Sequence, residues 1–176
     1  MDIVLLLFIF NYLFFIIFSS WRMFWKIRIN NKLSSLSHFV TIDRKSNLIF
    51  GIIMVTGSIT QIAFSLYLYF YHEFPNYILL SCISGAFGLI VPFVRIDKRY
   101  KLHIAVASGV FIFYTISILL TSLHLENYLL FYTATIQFFL LPVLILTKVK
   151  FKYTEVFYFT TAGIWSLFAI VLISIN

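Results

Sequence analysis

Residues 95–126 read RIDKRYKLHIAVASGVFIFYTISILLTSLHLE. A basic cluster of Arg95, Lys98, Arg99 and Lys101 precedes 24 uncharged residues, 102–125, and the acidic Glu126 ends them. A helix needs about 20 apolar residues to cross the roughly 30 Å hydrocarbon core of a bilayer. The stretch therefore reads as one membrane crossing with a basic end and a non-basic end.

The same unit recurs in both directions. Cutting the chain at every Asp, Glu, Lys and Arg leaves six long runs, 3–21, 46–72, 74–94, 102–125, 127–147 and 156–176, each of 19 to 27 residues. β-barrel strands would be about half as long and would alternate apolar with polar residues, which these runs do not. Helices satisfy their own backbone hydrogen bonds in lipid. The expectation is an all-α polytopic membrane protein, one transmembrane domain over residues 1–176. Its spans are predicted at 3–21, 47–71, 75–94, 102–123, 127–147 and 156–175.

Composition agrees. Of 176 residues, 62% are apolar, 20% aromatic and 11% charged, against about 25% charged in a soluble domain. This argues against a soluble enzyme, a disordered tail, a collagen and a disulfide-stapled secreted domain. The first run reads as a retained helix rather than a cleaved leader, because Ser19-Ser20 lead directly into Trp21-Arg22. Cys82, the single cysteine, sits inside a run as a small packing residue.

The net charge of +7 is a threading signal, and no nucleic-acid partner is expected. All 13 Lys and Arg fall in alternate connections: Arg22, Lys26, Arg28, Lys32, Arg44 and Lys45; then Arg95, Lys98, Arg99 and Lys101; then Lys148, Lys150 and Lys152. The remaining connections hold none. Basic residues mark the inner side, so both termini are expected outside, most simply across the plasma membrane. Such a basic rim also attracts anionic lipid headgroups, at about 1 kcal/mol per residue.

The first basic connection, 22–45, differs from the others. Trp21, Trp25, Ile29, Leu33, Leu36 and Val40 recur every three or four residues. That spacing predicts a helix lying in the interface, or a first helix extended past the bilayer.

The outer turns resemble each other. His72-Glu73-Phe74-Pro75-Asn76-Tyr77 aligns with His124-Leu125-Glu126-Asn127-Tyr128, and Gly57, Gly109 and Gly163 recur at intervals of 52 and 54 residues. These echoes suggest repeated helical hairpins related by rotation about the membrane normal. Ser81/Gly85, Ser84/Gly88 and Ala105/Gly109 are small-xxx-small pairs suited to close helix packing. They place the third span at the centre of the bundle.

No catalytic motif is present, no charged residue falls in mid-span, and no cofactor is expected. The lack of mid-span carboxylates argues against a proton pump. Four polar residues at depth, Asn11, Gln61, His103 and Gln137, form a candidate polar cavity; the alternative is hydrogen bonding between helices. His72, Glu73, His124 and Glu126 form a candidate outer-face cluster, with divalent-metal binding set against plain solvent exposure. The approach from Asp97 to His103, leading into His103-Ile-Ala-Val-Ala-Ser-Gly109, resembles small six-helix membrane families of the DRAM kind over about a third of the chain. That resemblance implies a helical bundle and carries no functional residue across.

Two main functions are expected to compete. One is a non-enzymatic bundle that binds or transports a lipid or small apolar molecule. The other is a structural or regulatory subunit, paired with a second copy or a larger membrane complex. A haem- or metal-binding redox protein is the third.

Overall fold

The computed structural model describes residues 3–27, 35–146 and 151–175. The described residues are helical, with no strand among them. Helix α1 is Ile3–Ile27, α2 is Arg44–Tyr71, α3 is Asn76–Phe93, α4 is Tyr100–His124, α5 is Tyr128–Leu146 and α6 is Phe151–Ile175. Five of them, α1, α2, α3, α4 and α6, are long and apolar enough to cross a membrane. Helix α5 contributes the further apolar helical stretch Tyr128–Leu140.

Three helix ends show a local cause. Asp43 is extended and its carboxylate accepts from the Ser46 N–H at 2.6 Å, which caps α2. At the other end of α2, His72 N–H and Phe74 N–H both donate to Leu68 O at 3.2 Å, and Glu73 turns through φ 52°. This is a left-handed C-terminal stop. The turn after α4 uses the same device, with Glu126 at φ 50°. Thus the two turns that look alike in sequence share a backbone solution. The recurring glycines do not all face one neighbour: a Cβ on Gly57 or Gly163 would press on Ile16 and Ile17 of α1, and one on Gly109 on Phe87 of α3.

Small residues set the closest approaches. A Cβ on Gly85 would lie 2.5 Å from Ile62, and one on Gly88 would overlap the Ser58 hydroxyl. Ser84 is buried and donates to Val110 O at 2.8 Å, tying α3 to α4. Consecutive helices from α2 to α6 pack on one another, and α6 returns to close against α1. Trp21 bonds Thr160 at 3.0 Å across that closure.

Of the two readings of the connection 22–45, its described start follows the second, an extended first helix. Residues 22–27 simply prolong α1. Leu36–Thr41 forms a 3-10 helix whose Leu36, Phe39 and Val40 are buried in the core, packed with Met23, Phe24, Phe50 and Val156. The segment is folded under the bundle because it carries enough apolar surface to join the core there. Ile29 and Leu33, with Arg28 and Lys32, lie outside the described residues.

Inside α1, Tyr12–Phe18 is π-helical. Ser19 and Ser20 hydroxyls donate to Phe14 O and Ile16 O, carbonyls around this wide turn. Such turns shift the phase of a helix and are frequent at functional sites.

Candidate functional site

The π-helical turn, the 3-10 segment and the basic-loop ends of α2, α3, α4 and α6 leave a cavity of about 70 Å³ between them. Its walls are mostly apolar, with Met23, Phe50, Met54, Val110 and Phe159 among them. Its polar groups are few: Ser20, Ser37, Ser58, Gln61 and Glu155. A mostly apolar hollow with a few convergent polar groups is the ordinary form of a small-molecule site. The volume is under half of the ~150 Å³ cavity that admits benzene, so it suits a slender group rather than a bulky one.

Glu155 is the unusual member. It is the fifth residue of α6, just past the first turn, and is only 3% exposed. Its Oε2 accepts the backbone N–H of Leu36, the residue that opens the 3-10 segment. One carboxylate thereby ties α6 to the folded connection and faces the cavity. Glu155 escapes sequence reasoning because it sits beside Lys148, Lys150 and Lys152 and reads as the end of a loop. A signal was nevertheless present. Tyr158, Ala162, Trp165 and Ala169 form the buried face of α6, and extending that spacing back one turn reaches Glu155.

Of the four polar residues expected at depth, the structure brings Gln61 alone to the cavity. Gln61 donates to Ser81 O at 3.0 Å and to Ser81 Oγ at 3.2 Å, linking α2 to α3. Asn11 donates to Thr60 Oγ1, between α1 and α2. Gln137 is fully buried and donates to Tyr158 O at 3.1 Å, between α5 and α6. His103, 2% exposed, places Nδ1 2.5 Å from Val94 O and pins the α3–α4 connection. Asn11, Gln61 and Gln137 are each drawn to a separate helix crossing, and His103 to a connection, where a backbone or hydroxyl partner waits.

A second polar line crosses from α4 to α6. Tyr114 meets Ser166 at 2.7 Å, Thr115 meets Tyr158 at 2.7 Å, and Trp165 donates to Ser122 at 2.7 Å. These groups satisfy one another and hold the two helices in register.

On the opposite end, His124 packs its ring edge against Phe74, and His72 against Tyr67. Glu73 and Glu126 are exposed. Among the described residues no group of three or more His, Cys, Asp or Glu comes together as a metal site. Of the small residues, Ser81, Ser84, Gly85, Gly88 and Gly109 are buried, whereas Ala105 is exposed.

The basic rim is uneven. Arg22, Lys26, Lys98, Arg99 and Lys101 are exposed. Arg95 forks onto Asp97 at 3.0 and 2.8 Å, and this bond holds the Asp97 carboxyl below its usual range. Lys152 is buried and donates from Nζ to Ile27 O at 3.0 Å, tying α6 to α1. Lys148 and Lys150 lie outside the described residues. His38, beside the cavity-lining Ser37, shares 2.9 Å with the Ser35 hydroxyl. Burial, then neighbouring His103, holds the His38 imidazole below its usual range.

Compared with protein-family models, curated proteins and solved structures, the chain matches none.

Proposed function

We propose that the chain is a six-span integral membrane protein that binds or moves a small apolar molecule, or one chain of a lipid, through the cavity at its basic-loop end. In this reading α5 is the sixth span, both ends lie outside the plasma membrane, and the basic loops face anionic headgroups inside. The observation that carries it is the hollow itself. Protein interiors are close-packed, and a void costs the contacts its walls forgo. Here the void is bounded by five helices and a folded connection, with a π-helical turn along one wall. Side chains large enough to fill it are absent at Ser20, Gly57, Ser58 and Ala107.

The experiment is purification of the full chain in mild detergent, followed by mass analysis of bound small molecules. Ala107→Phe projects a ring into the hollow. Wild-type protein is expected to carry a bound apolar species in fixed ratio, and Ala107→Phe to lose it while keeping its helical content. Equal recovery from both would sink the reading.

A second reading, a subunit of a membrane complex, draws on α1. Phe10, Phe14 and Phe18 are exposed and stacked, with ring centroids 5.6 and 5.4 Å apart. A partner protein recovered in fixed ratio, and lost when all three become Ala, would favour it.

A further inference from the structure

We propose that the ligand of this cavity is a small apolar amine, held as its ammonium ion by Glu155, and that a proton replaces it when the amine leaves. This rests on the binding reading above and narrows it to a chemical class.

The inference starts from an incomplete carboxyl group. Oε2 of Glu155 accepts Leu36 N–H, while Oε1 takes no hydrogen bond from the described residues. A carboxylate offers about four lone-pair positions, and a buried charge is stable only when paired and hydrogen-bonded.

Among the described residues the neighbouring charges are engaged elsewhere. Lys152, one turn earlier on α6, donates to Ile27 O. Lys26 of α1 lies over the Phe39 ring, 5.8 Å from its centroid. On the 3-10 segment, His38 is bonded to Ser35. Arg95, beyond α3, is paired with Asp97. Tyr158, the next titratable group along α6, donates to Phe111 O at 3.0 Å. From α2, α3 and α4 the cavity receives Phe50, Gln61, Val91 and Val110, and no acidic or basic side chain.

Two states therefore complete Glu155. A protonated carboxyl donates its O–H into the cavity, or an ionised one meets a cation there. A hard metal cation asks for about six or more oxygen ligands, and no cluster of three metal-ligating side chains exists among the described residues. The walls are apolar and the volume is about 70 Å³, which suits an ammonium on a slender hydrocarbon chain. Ser20 and Ser37, lining the same cavity, offer hydroxyl acceptors for its remaining N–H groups. On exchange, the O–H bond of Glu155 breaks, its proton passes to water, and the incoming ammonium supplies the one positive charge that leaves. The cavity's net charge is unchanged.

The probes are n-hexylamine, a cation at neutral pH, and 1-hexanol, its neutral counterpart of equal chain length. Each is titrated into the purified full chain in detergent by ligand-observed NMR. The amine is expected to bind about tenfold or more tighter than the alcohol, to weaken as pH falls because protons compete, and to release protons into a weakly buffered solution. Glu155→Gln, which keeps an acceptor for Leu36, is expected to bring the amine down to the alcohol's affinity and leave the alcohol unchanged. Equal binding of both probes, indifferent to Glu155→Gln, overturns the ammonium assignment and leaves the apolar cavity standing. Failure of both probes to bind, with no response to Ala107→Phe, overturns the cavity reading itself. If Glu155→Gln does not fold, wild-type protein decides: amine binding without proton release overturns the exchange.

Discussion

Gly109 has no side chain because the Phe87 ring occupies the place of one; a Cβ there would sit 2.8 Å from ring carbons. Gly109→Ala must push that ring or part α3 from α4, and overpacking of this kind costs about 1–3 kcal/mol. Thermal unfolding in detergent is expected to register the loss. Gln137 makes the opposite case. It is fully buried, yet Nε2 alone is bonded and Oε1 has no partner. Hydrogen bonds between membrane helices average only about 0.6 kcal/mol, and an apolar residue of similar size also removes the orphaned oxygen. Gln137→Leu is therefore expected to fall within about 1 kcal/mol of wild type, neutral or stabilising. A loss comparable to that of Gly109→Ala would show that Gln137 does more than bridge α5 and α6.

At the scale of elements, the 3-10 helix Leu36–Thr41 is the piece with the most consequence. It buries Leu36 and Phe39, supplies the N–H that Glu155 accepts, and places Ser37 at the cavity. Its pH response follows from His38. The folded protein holds this imidazole below its ordinary value of 6.5, chiefly by burial. Between the folded and unfolded values the unfolded chain binds more protons, so stability rises with pH. The contribution is complete above 6.5 and is lost as pH falls through the lowered folded value. Melting temperature is expected to fall on acidification across that window, and His38→Gln to flatten the slope. An unchanged slope would show that His38 is not the group responsible. The carboxylates behave alike at lower pH. Ser46 N–H holds Asp43, and the Arg95 fork holds Asp97, below 3.8, so their support persists until the medium is more acid than that.

For the whole molecule, the issue is threading. Glu73, Glu126 and Lys98 are exposed at connections, and the charge partition assigns the first two to one side and the third to the other. In a Cys82→Ser background, cysteines at 73 and 126 are expected to react with an impermeant thiol reagent added to intact cells. A cysteine at 98 is expected to react only after permeabilisation. Labelling of all three from outside would show that α3 or α4 does not cross. Reversed labelling would invert the molecule.

How much of this was legible in the chain differs by kind of information. Helix identity and approximate extent follow from run length and charge position, because apolar periodicity and helix stops are local properties. Asp43, Glu73 and Glu126 act on their own immediate backbone. The small residues of α3 announced a close approach, and the structure places Ser84, Gly85 and Gly88 in one. Destination was not legible. Gln61, Gln137, His103 and Asn11 are alike in sequence as polar groups at depth, yet each bonds a different neighbour. The 22–45 connection carries an interfacial pattern but folds inward at Leu36, since an apolar stripe buries equally well in lipid or in protein. Glu155 looked like the edge of a basic loop and became the polar wall of the cavity. The sequence by itself determined the helices and their order, which are set by the residues within each segment. Only the tertiary structure decided which polar groups meet, because partner choice depends on distances between segments far apart in the chain.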